Sequence, residues 1–410
     1  MTHLERARRK LLVEIVKTLT VGACVPLAVS ACTPSNTTAT PPTDSPSGSP
    51  AKAECPDAKG TYAEWPDGKR PDLYGSESEV CLPVPPGGAK ACDKAYSDAC
   101  IMSRFVCGKS TSATSVEGRL PSSNPEVCCW RVKGHCAVGR PFVIDGEAVL
   151  AEARPGDDWT DRALAKSTHT LADAIAALDD ATREAIADVW TRDGLTEHAS
   201  VASFAQVVLE LLALGAPSDL VRDAQRAMGD EIRHAERAFA IAGRYAGRAV
   251  MPGPLPIAGA LGKPPTLADF AARAASEGCV AETIAALQLH AAADVARDPA
   301  LAAILRTTAD EESEHALLGW RIVRWALNVG GESVRSAVLA VLDDAESHVG
   351  FGPCPSDAIS LSSLRAHGVL PTADRHVLAV HALTSVIAPA KATLVDGDVS
   401  RTATRSHAEA

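Results

Sequence analysis

The strongest constraint on this chain is a pattern that occurs twice. Glu197 is followed 34 residues later by Glu231, with His234 three positions on. Glu277 is followed 35 residues later by Glu312, with His315 three positions on. Residues three apart share one face of a helix, so each Glu-x-x-His offers a carboxylate and an imidazole side by side. About one Glu-x-x-His is expected by chance in a chain this rich in Glu and His, so one copy alone would carry little. Two copies, each mid-helix and each preceded by a Glu at nearly the same distance, support one another. Positions 197, 201, 204, 208, 211 and 215 read Glu, Val, Phe, Val, Leu and Gly, an apolar core-facing stripe holding one carboxylate. An ionised carboxylate in such a stripe costs several kcal/mol unless it is paired or binds a cation. Four of them converging would repel strongly, and two divalent ions would neutralise them. Glu197, Glu231, His234, Glu277, Glu312 and His315 are therefore read as ligands of two metal ions, with the lone Glu of each half bridging or capping the pair.

Several neighbouring residues carry side chains of the same types. Glu282 lies about 140° round an α-helix from Glu277 at about 100° per residue, so the repeat selects Glu277 and leaves Glu282 as the alternative ligand or a supporting residue. Asp230, immediately before Glu231, is placed either to orient the ligating His of the other half through its outer ring nitrogen or to stand as an exposed carboxylate. His198, His290, Glu311 and Glu314 fall off the core face and are expected to be solvated. Cys279 is expected to be a small buried apolar residue or to bridge to Cys354. Imidazole with carboxylate suits iron, with manganese or mixed metals as alternatives, better than calcium.

From about residue 160 the chain is rich in Ala, Leu, Arg and Glu with helical periodicity. One helix is expected from Asp180 to Gly215, with a fainter one before it. A second runs from Pro217-Ser218, with Ser218 as N-cap, to Tyr245. After a Pro/Gly-rich crossover at 247–265, a third opens at Thr266 with Asp269 completing a capping box, and ends before Asp298-Pro299. A fourth continues to Asn328 and stops at Gly330-Gly331. Further helices are expected near 332–348 and 372–394. The fold class is thus mainly α: a four-helix core over 160–350 and a helical extension over 351–395, followed by a tail at 396–410.

The N-terminal third reads differently. Arg6, Arg8, Arg9, Lys10 and Lys17 precede a short apolar run from Leu19 to Ala31, as in an export signal. Val29-Ser30-Ala31-Cys32 resembles a lipobox, so residues 1–32 are read as a lipoprotein signal with Cys32 as the lipidated residue and the membrane as a partner through that anchor. Residues 33–54, crowded with Ser, Thr and Pro, read as a tether. No segment beyond the leader is judged long and apolar enough to span a bilayer. Residues 55–155 hold Cys55, Cys81, Cys92, Cys100, Cys107, Cys128, Cys129 and Cys136, an even count without a C-x-x-C knuckle, which reads as a disulfide framework of unreadable connectivity. A β-hairpin is expected at 142–150 around Asp145-Gly146. The net charge of −11 and the lack of a basic block beyond the N-terminus argue against a nucleic-acid partner.

The phrases WTRDGLTEHASVASFAQVVLELLALGAP, DEIRHAERAFAIAGRY, EGCVAET and DEESEHALLGWR resemble the ferritin-like superfamily, which includes rubrerythrins, bacterioferritins and di-iron monooxygenases. They are most similar, together with CCW…C…GRPF, to uncharacterised exported ferritin-like proteins of myxobacteria. The resemblance implies a ferritin-like four-helix bundle with two extra C-terminal helices, preceded by a small disulfide-rich module. It implies two iron ions and oxidoreductase chemistry with dioxygen or peroxide (ferroxidase, peroxide reduction or substrate oxidation) at the bacterial cell envelope. Two departures weigh against rubrerythrin-type peroxidase chemistry: Phe204 stands where those proteins have Tyr, and no rubredoxin-type Cys site is present. The competing expectation is a non-catalytic metal-binding envelope lipoprotein whose Cys-rich module binds an unknown protein partner.

Overall fold

A computed structural model describes residues 2–20, 77–83, 113–120, 127–134, 140, 142–144, 147–166, 169–260, 262, 265–345 and 360–395. The described part is mostly helical. Cys32, the 33–54 tether, the 396–410 tail, and Cys55, Cys92, Cys100, Cys107, Cys136 and Cys354 lie outside it, as do the side chains of Cys81, Cys128 and Cys129.

Four long helical stretches make two pairs. Helix α4 (Asp180–Ala213) opens at Asp179, whose carboxylate accepts from the Thr182 backbone N–H at 2.8 Å. Helix α5 (Ser218–Ala246) follows after a four-residue turn and packs along α4. Pro217, rather than Ser218, occupies the cap position, and no side chain caps this helix. The second pair begins with α6 (Leu267–Arg273), capped by Thr266, whose hydroxyl accepts from Asp269 N–H at 3.1 Å. A π-helical segment, Ala274–Ala281, joins α6 to α7 (Glu282–Val295). Helix α8 (Pro299–Asp343) packs back along this composite helix, with Asp298 capping it and proline at its first position. Gly331, at φ 65° and ψ −152°, breaks α8 internally at the expected double glycine, so that its last turns form a separate helical piece.

Shorter elements frame this helical body. Two small helices, α2 (Arg162–Lys166) and α3 (His169–Ala176), precede α4. In the cysteine-bearing region, β1 (Glu77–Pro83), β2 (Ala113–Leu120) and β3 (Val127–Gly134) form an antiparallel sheet in the order β1-β3-β2, with Cys81 in register with Cys129. Strands β4 (Val143–Ile144) and β5 (Glu147–Ala148) pair across residues 145–146. The crossover contains a strand that the sequence did not suggest: β6 (Ala153–Pro155) pairs with β7 (Val250–Pro252), tying the chain before the helices to the end of α5.

Two apolar clusters fill the interior. One gathers Phe204, Leu211, Phe270, Trp320 and Val323, and the other gathers Ile186, Trp190, Ile241, Tyr245 and Leu301. Each buried Leu, Ile or Phe contributes about 1.5–3 kcal/mol of transfer free energy. Along α4 the residues of one cluster precede Glu197 and those of the other follow it; the same alternation brackets Glu231–His234 on α5 and Glu312–His315 on α8. The polar centre is thus sealed above and below by hydrocarbon. Between α8 and the π-helical segment the backbones touch: a Cβ on Gly278 would lie 2.8 Å from Gly319 Cα. Glycine at both positions is what allows that crossing.

Near the N-terminus lies an amphipathic helix, α1 (His3–Thr20), whose Leu11, Ile15 and Leu19 are buried in the first cluster. Arg324 donates to Thr18 O, and Leu4 N–H donates to Asp294 at 3.3 Å. Helix α9 (Leu361–Ala366) leads to α10 (Thr372–Ala382), which continues through a π-helical turn to Val395. The stretch Val377–Val395 is long and apolar enough to cross a membrane, unlike the sequence expectation. Its Ala379, Ala382, Leu383, Val386, Ile387 and Ala390 nevertheless pack into the first cluster, so one apolar face is already covered by protein.

Candidate metal centre

Helix α4 brings Glu197 to the centre, α5 brings Glu231 and His234, and α8 brings Glu312 and His315. These meet in two groups. Glu197, Glu231, His234 and Glu312 each offer a ligand atom within 4.8 Å of the others, and so do Glu231, Glu282, Glu312 and His315. Glu231 and Glu312 belong to both. His315 Nδ1 lies 3.1 Å from Glu231 and 3.2 Å from Glu312. His234 Nδ1 lies 3.1 Å from Glu312, 3.6 Å from Glu231 and 4.0 Å from Glu197. Each imidazole therefore faces carboxylates of both halves, and the two ring centroids are 5.8 Å apart.

Glu277 is absent from both groups, and Glu282 takes the place that the repeat assigned to it. The reason is local backbone geometry. The π-helical segment uses i→i+5 bonding, and the Glu282 N–H bonds to Glu277 O. Each residue turns through less than 100°, so the 140° separation computed for an α-helix does not hold. The two glutamates come to share one side of the helix about one turn apart, with Glu282 in the cluster and Glu277 outside it. Glu277 instead accepts from Arg140 Nη1 at 3.3 Å, and Arg140 Nε donates to Glu282, also at 3.3 Å.

The outer nitrogens of both histidines are held across the repeat. His315 Nε2 lies 3.3 Å from Asp230, which Arg233 also engages, as the sequence suggested for Asp230. The counterpart was missed: His234 Nε2 lies 2.9 Å from Glu311, which accepts from Arg237 Nη1 at 2.6 Å. Glu311 precedes Glu312 as Asp230 precedes Glu231, so applying the repeat one residue upstream would have found it. Glu314 is exposed as expected. His198 is half-buried and edge-on to Trp159, with ring centroids 4.7 Å apart. His290 is buried rather than solvated, beside His3 of α1 and 3.9 Å from Asp310. Cys279 is buried and unbridged.

Electrostatics show how crowded this centre is. Burial, then the Glu231 and Glu312 charges, push Glu197 well above the usual carboxylate range. Burial and Glu312 do the same to Glu282, against the pull of Arg140. Burial also raises Glu277, with Arg140 and Arg273 opposing it. Burial tends to raise Glu231 and Glu312 too, but the imidazoles of His234 and His315 beside them outweigh it and hold both below their ordinary range. For the two histidines burial disfavours the charge, yet the glutamates around them drive both well above 6.5. Without a metal, imidazolium charge and carboxyl protons carry out the neutralisation that a cation would otherwise supply.

The residues fit divalent ions. His234 Nδ1 and Glu231 Oε2 are buried without a hydrogen-bond partner, which costs about 1–3 kcal/mol for each unsatisfied group. Both belong to residues that can hold an ion, and coordination would satisfy them. Four carboxylates with two imidazoles also match the donor preference of iron or manganese. No family model, curated protein or solved structure matches this chain.

Proposed function

We propose that the chain is a ferritin-like di-metal carboxylate protein whose four-helix bundle holds two iron ions, with manganese or mixed metals as alternatives. Glu197, Glu231, His234 and Glu312 would hold one ion, and Glu231, Glu282, Glu312 and His315 the other. The observation that carries this reading is the sharing of Glu231 and Glu312 between two buried four-residue groups. Shared carboxylates keep two cations close, which a pair of unrelated single-ion sites would not require.

Two ferrous ions would supply electrons to dioxygen or peroxide, so we assign the protein oxidoreductase chemistry with one of these. The chain's own contribution is to exclude water and fix the imidazoles. Two apolar clusters enclose the centre, while Asp230 and Glu311 hold the outer nitrogens of His315 and His234. Glu197, with 23% of its side chain exposed, is the most open member and marks the side from which a small oxidant would enter.

Anaerobic loading of the full chain with Fe(II), followed by an oxygen pulse, tests this. Two irons per chain, oxygen uptake and ferric absorption are expected. Zinc retention, a large fall in melting temperature on chelation and no redox response would replace it with the non-catalytic metal-binding reading.

The lipobox-like Val29-Ser30-Ala31-Cys32 supports envelope anchoring through Cys32. The seating of α1 on the helical core supports a second reading, in which the N-terminus is retained. Intact-mass measurement on protein from a bacterial host decides between a lipidated chain starting at Cys32 and one that still carries α1.

A further inference from the structure

Among the described residues, Arg140 reaches the candidate metal centre from outside the helical body. It lies just before the β4–β5 hairpin, and its main-chain carbonyl is pinned by a hydrogen bond from Ser200 Oγ at 2.8 Å. Its side chain is only 2% exposed. The guanidinium carbon stacks 4.4 Å above the Phe204 ring centroid, and Phe204 in turn meets His315 at 5.1 Å. A Cβ on Gly278 would lie 3.0 Å from Arg140 Nη2, so the close crossing of Gly278 and Gly319 walls the group in. Arginine cannot shed its proton in a protein. A permanent positive charge is therefore buried next to the cluster.

Its ion pairs are divided between the two glutamates: Nε with Glu282 and Nη1 with Glu277, both at 3.3 Å, while Nη2 is buried without a partner. Of the two candidate groups, only the one containing Glu282 has a carboxylate engaged by arginine among the described residues. Arg233 and Arg237 act on Asp230 and Glu311, one step removed from the ligands.

We propose that Arg140 gates the second metal position: it competes with the ion for Glu282, and Glu277 is the acceptor that receives the guanidinium when Glu282 turns to the metal. Glu277 is then a positioning residue, which explains a buried carboxylate one turn from the ligands. The spare Nη2 donor lets the guanidinium hold Glu277 through two nitrogens once Glu282 is released. The two positions fill in order. The group with Glu197 and His234 fills first, and the group with Glu282 and His315 fills second. This inference rests on the metal-centre reading above.

The test is anaerobic Mn(II) titration of the full-length protein, followed by calorimetry and electron paramagnetic resonance. The wild type is expected to take two ions with affinities at least about tenfold apart, the range over which groups supporting a ligand change metal affinity. Arg140→Gln should tighten the weaker step by about tenfold and leave the tighter one within about twofold. Glu277→Gln should weaken the weaker step in the wild-type background and have no effect when Arg140 is already Gln, because Glu277 acts only through that arginine. An equal effect of Glu277→Gln in both backgrounds, or an equal shift of both steps by Arg140→Gln, overturns the proposal and leaves only a general charge effect. If Arg140→Gln also loses the first ion, Arg140→Lys is read in its place. That variant keeps the charge but cannot fork between two carboxylates. Tightening of the second step supports the gate, and no change overturns it. A wild-type chain that binds no ion defeats the metal-centre reading itself; a two-ion chain indifferent to Arg140 defeats only the gate.

Discussion

The two halves of the repeat differ in their first glutamate more than anywhere else. In the first half Glu197 sits on an uninterrupted α-helix, nearly a quarter of its side chain exposed and with no arginine against it among the described residues. In the second half the carboxylate that joins the cluster is Glu282, five residues beyond Glu277 across a π-helical segment, 1% exposed and paired with Arg140. The Glu-x-x-His motifs are alike in both. A repeat can thus keep its common scaffold, the shared Glu231 and Glu312, while one helix turn makes one position open and the other dry and charge-guarded.

The largest effect should come from removing what the halves share. Glu231→Ala takes a ligand from both groups, so metal content should fall from two ions per chain to none by elemental analysis. It also strips the buried histidines of a partner. Breaking a buried ion pair costs about 3–5 kcal/mol, and the metal-free variant should melt correspondingly lower. Retention of both ions would contradict the sharing. Next in size is the test of register in the second half. Glu282→Gln should cost one ion of the two, whereas Glu277→Gln should still bind two at saturating metal. The reverse result would restore the α-helical register over 274–281 and return the ligand role to Glu277.

A subtler contrast lies in the outer contacts, which cross between halves. Asp230 is on the first half but holds His315 of the second; Glu311 is on the second but holds His234 of the first. Asp230→Asn should therefore weaken the position containing His315, and Glu311→Gln the one containing His234, each by about 10–100-fold. Stepwise Mn(II) titration reads which step moves. If each substitution weakened the position of its own half, the crossed arrangement would be wrong.

How much of this was readable depended on how local the determinant is. Thr266 and Asp269, Asp298 and Pro299, and the break at Gly331 are decided by caps and backbone freedom within a few residues, and they lie where the sequence places them. The cap at Ser218 was misread because Pro217 already supplies the extended residue before the helix, leaving Ser218 inside it. That Glu282 rather than Glu277 joins the cluster does not follow from angular position counted at α-helical pitch, which left Glu282 only as the alternative. Nothing in AASEGCVA announces an i→i+5 turn, whose geometry is coupled to the Gly278–Gly319 contact with a helix about forty residues away. Arg140 was illegible for the same reason: it joins the centre from 137 residues before Glu277, and no periodic pattern links them. Glu311 is a different case, since the repeat contained it and the expectation of a solvated residue was placed on it too soon.

The smallest expected effect concerns protons, and it contrasts the centre without metal and with it. In the metal-free protein His234 and His315 have folded-state values well above 6.5, so the stability they contribute is complete below pH 6.5 and is lost as pH rises through those values. Glu197 and Glu282, raised above 4.5, act in the same direction from pH 4.5 upward. Glu231, Glu311 and Glu312 are depressed, Glu311 to about 2, so their contribution is present above pH 4.5 and lost on acidification. Chelated protein should thus be most stable between about pH 4.5 and 6.5 and lose melting temperature above it, at about 2–4 °C per kcal/mol for a domain of this size. Metal-loaded protein should show the opposite slope, because its ligands bind only when deprotonated and acid competes with the ions. Thermal melts of both forms from pH 5 to pH 9 check this. A chelated form whose melting temperature rises toward pH 9 would mean that the histidines are not the cations of the metal-free centre.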